Sequence, residues 1–81
     1  MTYQLFQEAV LAIDVPGKGL RKGDVATIVE EHPAAGGERG YTLEVFNALG
    51  DTIMVVTVPE LAISAMKADE VLSVRPFSVT S

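Results

Sequence analysis

The stretch GYTLEVFNALGDTIMVVTVP, residues 40 to 59, constrains the backbone more than any other part of the chain. From Tyr41 to Asn47 the residues alternate, with Tyr41, Leu43 and Val45 on one face and Thr42, Glu44 and Phe46 on the other. A period of two belongs to a strand with one face in a core and the other turned out. Ala48-Leu49-Gly50-Asp51 is a short connection in which Gly50 can take the positive φ that hairpin loops need. Thr52 to Val58 is the most β-prone run in the chain and is apolar on both faces, so cover is expected on both. Pro59 stops it.

The flanking segments extend this hairpin into a sheet. Residues 8 to 15, EAVLAIDV, read as a first strand closed by Pro16, and PGKGL forms a flexible loop. RKGD makes a turn, and Asp24 to Glu31 reads as a second strand rich in β-branched residues. HPAAGGERG, residues 32 to 40, has three glycines and a proline and reads as an exposed hairpin loop. PELAISAM opens with a proline and a glutamate, which predicts one or two helical turns, of 3₁₀ type. Asp69 to Arg75 reads as the last strand, before Pro76. The expectation is an all-β domain spanning residues 1–81: five antiparallel strands, one short helical turn before the last, and a sheet bent into a small barrel that removes exposed edges.

A chain of 81 residues buries only roughly 60% of its unfolded surface, so its core is marginal alone. It has no cysteine, which removes disulfides and thiolate metal sites, and one histidine, His32, which makes a histidine-based site improbable. Oligomerisation is the remaining means of stabilisation. Residues of the apolar set make up 48% of the chain, which predicts that a second copy covers some of them, most simply in a two-fold dimer. The net charge of −5 disfavours nucleic acid as a partner. No apolar stretch reaches the ~20 residues that span a bilayer, and MTYQLFQEAV is no secretory signal, so the expected location is the cytoplasm.

The pattern KGDVATIVEEHP, then GYTLEVFNALGDTIMVVTVP, then DEVLSVRP resembles an uncharacterised bacterial family of small SH3-like barrels. Members begin a long strand on Gly-Asp, lead the next with Tyr, and close on a DEV-x-x-VRP type segment. The resemblance runs from about Ala9 to Pro76 and implies an SH3-like five-stranded barrel. Fold-level likenesses extend to KOW-type translation barrels and the nitrile hydratase beta subunit, which imply no activity here. Ala26 stands where the family pattern has Gly.

Four sets of residues could carry chemistry. Glu30, Glu31 and His32 put two carboxylates beside an imidazole, but strand neighbours point to opposite faces and should not converge. They read as a solvated strand end, so no catalytic residue, metal site or cofactor is assigned. Lys18, Arg21 and Lys22 place three of six basic residues in one loop, a candidate basic rim for an anionic or acidic partner. No aromatic interleaves them to stack a base. The glycines form no phosphate-binding loop, and the serines have no triad partner beyond His32.

The apolar candidates for an interface are Phe46, Met54, Val56, Phe6 and Phe77. Together these features predict a non-enzymatic protein-interaction module that self-associates. Two alternatives stand beside it: an antitoxin-like or immunity-like protein that meets a basic partner through Glu30, Glu31 and Glu38, and a KOW-like RNA-binding barrel.

Overall fold

The structure, a computed structural model, describes residues 3–33 and 37–78. Five strands form one antiparallel sheet: β1 (Glu8–Leu11), β2 (Val25–His32), β3 (Gly40–Phe46), β4 (Thr52–Pro59) and β5 (Ile63–Ala65). A single 3₁₀ turn, Glu60–Ala62, precedes β5. The strand order is β4-β3-β2-β1-β5, so three hairpin partners lie in sequence order and the last strand returns to pair with the first.

Alternation decides what the sheet encloses. Tyr41, Leu43 and Val45 of β3, Ala26 and Ile28 of β2, and Val56 and Val58 of β4 all point inward. Ala9 and Leu11 of β1, Ala62 and Ile63 complete the same cluster from the far end of the sheet, giving a barrel-like curl around one core. Each large side chain fully buried there stabilises by about 1.5–3 kcal/mol. Irregular pairing between Ile28 and Glu30 and between Val45 and Phe46 bends the long strands. Gly50 has a φ of +92° in the β3–β4 turn, the conformation its position required.

The C-terminal third departs from the sequence expectation. The last strand is Ile63–Ala65, directly after the 3₁₀ turn, and not Asp69–Arg75. β1 supplies the reason: its open edge accepts Ile63, Ser64 and Ala65 opposite Leu11, Val10 and Ala9, where small side chains let two backbones meet. Residues 66–78 instead form a strap outside the sheet, which turns where the Glu70 N–H meets the Lys67 carbonyl and has no regular structure after it, with Val71 and Val74 exposed. β1 itself stops at Leu11, where the Ala12 N–H turns to the Ala62 carbonyl. Residues expected in the 32–40 loop begin and end it as strand, since β2 runs through His32 and β3 starts at Gly40. The part of that loop at residues 34–36 lies outside the described residues.

The outer face of β4 is also not covered as its apolar character suggested. Met54, Val56 and Val58 pack inward, but Val55 is 55% exposed. No helix among the described residues is long and apolar enough to cross a membrane.

Candidate functional site

Among the described residues, the Gly-Asp pair at the head of β2 builds the polar contact with the most partners on one carboxylate. Gly23, with a φ of +97°, turns the chain, and its N–H donates to the Leu11 carbonyl. The turn aims the Asp24 carboxylate back over the loop, where Oδ2 accepts the Arg21 backbone N–H at 2.7 Å. Arg75, 51 residues downstream, meets the same carboxylate with both ends of its fork: Nε to Oδ1 at 2.9 Å and Nη2 to Oδ2 at 2.5 Å. Nη2 also donates to the Gly19 carbonyl at 2.8 Å. Such two-point pairing fixes direction as well as charge. Both side chains are mostly buried, 18% exposed for Asp24 and 26% for Arg75.

Burial alone would raise the Asp24 carboxyl. The Arg75 and Arg21 contacts outweigh it and hold the group below the ordinary aspartate value. The Asp24 hydrogen bond in turn raises Arg75.

This contact borders a groove of about 450 Å³ between the head of β2, the β3–β4 turn and the strap. Its apolar walls include Val45, Phe46, Ile53, Leu72 and Phe77. Of the apolar candidates, the groove brings Phe46 and Phe77 together. Phe46 is 42% exposed on the outer face, and Phe77 is half-buried against the core. Val56 is buried in the core and Met54 is packed against it, so these two contribute to the core rather than to the open surface. Phe6, with a φ of +66°, is exposed in the turn before β1.

Lys18, Arg21 and Lys22 are exposed on the loop that leads to Asp24. Acidic side chains lie among them, since the Lys22 N–H donates to Asp14 and the Arg21 N–H to Asp24. The carboxylates at the other end of β2 separate as alternation requires. Glu31 pairs with Arg39, whereas Glu30 lies across from His32, its Oε1 3.5 Å from Nε2. His32 Nε2 also meets the Thr42 hydroxyl at 2.7 Å, and Thr42 meets Thr57 at 2.8 Å. Glu38 is exposed. Among the described residues no three His, Asp or Glu side chains are placed to hold a metal ion.

Besides the pairing of Asp24 with Arg75, two features escaped the sequence reading. Tyr41, fully buried, accepts the Tyr3 N–H at 3.1 Å and donates to Glu60 at 3.2 Å. Burial, with smaller contributions from Glu60 and Glu31, raises its phenol. Alternation marked Tyr41 as core but carried no sign of where its hydroxyl would go. The second is the free edge of β4, which pairs only with β3 among the described residues. The Glu60 N–H bonds to the Arg39 carbonyl, so by the two-residue alternation of an antiparallel ladder the bonded pairs are Tyr41–Val58, Leu43–Val56 and Val45–Met54. The backbone groups of Val55 and Thr57 therefore face away from the sheet. No charge lies anywhere in β4.

Residues 5–65 match the family described as a domain of unknown function, DUF4926. The chain belongs to this family. No functionally curated protein and no solved structure matches it. The DUF4926 match ends on the last residue of β5. Asp24, Gly19 and Phe46 thus lie within the matched DUF4926 region, and the strap residues Arg75 and Phe77 lie beyond it.

Proposed function

We propose that this DUF4926 protein is a non-catalytic protein-interaction module that self-associates through the free edge of β4. The observation that carries the reading is that edge: eight uncharged residues with Val55 exposed and the backbone groups of Val55 and Thr57 turned outward. Strand edges in soluble proteins are ordinarily blunted by charge, proline or shortness, because a bare edge recruits another strand. Here Pro59 blunts only the end.

The edge complements itself. A two-fold axis beside Val56 sets Val55 opposite Thr57 of the second copy and Thr57 opposite Val55, so every outward group between the Val45/Phe46 irregularity and Pro59 finds a partner. The net charge of −5 per copy opposes association, so the dimer tightens as salt screens that repulsion. A complex held by ion pairs would weaken instead.

Sedimentation of the native chain and of Val55→Lys tests the reading. Lysine in place of Val55 is expected to weaken the dimer at least roughly tenfold, about 1.4 kcal/mol. A native chain that stays monomeric at micromolar concentration, or a Val55→Lys dimer of undiminished affinity, overturns it.

A further inference from the structure

We propose that the face formed by the head of β2 and the β3–β4 turn is a peptide-binding site, and that the chain's own strap occupies part of it as an internal ligand, leaving open the groove between them. The ligand class is an extended peptide carrying an arginine and, two positions on, an aromatic residue.

The manner of the strap's attachment supports this. Among the described residues, the main chain of 66–78 forms no hydrogen bond to the backbone of the sheet; its one main-chain to main-chain bond, Glu70 N–H to the Lys67 carbonyl, is local. Two side chains hold it instead. Arg75 grips Asp24 and the Gly19 carbonyl, and Phe77 lies against the core beside Gly19. Side-chain anchors seated in pockets are one of the ways in which a groove reads a peptide.

The receiving half of the contact is built into the matched domain. Gly23 turns the chain and the Arg21 amide bonds the carboxylate, both from within that domain. Gly19 has a φ of +73°, and a Cβ there would come within 2.7 Å of the Ser78 carbonyl and 3.2 Å of the Phe77 ring. Its lack of a side chain is what lets an extended segment approach the loop so closely.

The strap does not fill the site. Leu72 and Val74 line the groove yet remain 68% and 90% exposed, beside the open apolar surface of Phe46 and Ile53. A peptide offering the same two anchors and a bulkier residue ahead of the arginine would cover more of that surface. Against this, the tether gives the strap a high effective concentration, of millimolar order for short flexible links. A free peptide therefore gains access chiefly when the anchors of the strap are released.

The test uses the full chain and a fluorescein-labelled peptide of sequence EVLSVRPFS, that of residues 70–78. Fluorescence anisotropy is expected to show the Arg75→Ala/Phe77→Ala variant binding it at least roughly tenfold more tightly than the native chain. Replacing the peptide's arginine by glutamate, or adding Asp24→Asn to the variant, should abolish that gain. A folded variant that does not capture the peptide, or one that captures the glutamate peptide equally well, overturns the proposal. Should loss of Phe77 prevent folding, Arg75→Ala alone keeps the core contact and must show intermediate affinity, with amide shifts at Gly19, Gly23 and Asp24 on peptide addition; unchanged affinity or unmoved amides would overturn it too. This reading stands apart from β4 self-association: releasing the anchors should leave sedimentation unaltered, and Val55→Lys should leave peptide capture unaltered.

Discussion

The two ends of β2 carry the same kinds of residue and have different consequences. At its head, Asp24 is mostly buried, accepts a turn amide, and is gripped at both oxygens by an arginine from the far end of the chain. At its tail, Glu30 and His32 face each other across 3.5 Å with side chains 63% and 45% exposed. Coulomb attraction between unit charges is strong only where water is displaced, and water is displaced only where another segment covers the pair. The strap covers Asp24. Nothing comparable covers Glu30 among the described residues.

Substitutions along β2 make this contrast measurable. The largest effect belongs to neither end: Ile28→Ala, in the fully buried middle of the strand, is expected to cost about 2–5 kcal/mol in chemical denaturation, because it removes apolar contact and leaves a cavity. A smaller loss would mean that the curled sheet collapses around the gap.

Asp24→Asn should cost about 1–2 kcal/mol, between the range of exposed pairs and that of fully buried ones. Its acid dependence sharpens the point. An aspartate depressed in the folded state contributes stability that is present above the unfolded pKa, ~3.9, and is lost as pH falls through the lower folded value. The native chain should therefore shed this contribution below about pH 4, and the asparagine variant should lack that component of its acid titration. Identical acid profiles would remove the argument that Asp24 is held by Arg75.

His32→Gln should be the smallest, within about 0.5 kcal/mol, since Thr42 keeps its bond to Thr57 and the position is half-open. A loss as large as that of Asp24→Asn would erase the distinction between the two ends.

Much of this was readable along the chain. The alternation of Tyr41, Leu43 and Val45 identified the inward face of β3, and Gly50 identified its turn, because both depend on backbone geometry over a few neighbouring residues. The separation of Glu30 from Glu31 follows from the same two-residue period. Asp69 to Arg75 misled for a corresponding reason. Its β-propensity is genuine, but a strand needs an edge, and Ile63–Ala65 takes the edge of β1. Val55 misled similarly: an apolar residue on the second face of a strand signals cover without stating that the same chain supplies it.

The inward face of β3 and the sharp turn at Gly50 were thus settled locally, by side-chain alternation and permitted φ angles. Which carboxylate is locked, which edge stays bare and where the C-terminal residues lie were settled only on folding, since each depends on a partner tens of residues away. No local pattern encodes the meeting of Arg75 with Asp24 or the hydroxyl bond of Tyr41 to Glu60. Those contacts exist because closing the sheet around a single core brings distant segments within hydrogen-bond reach.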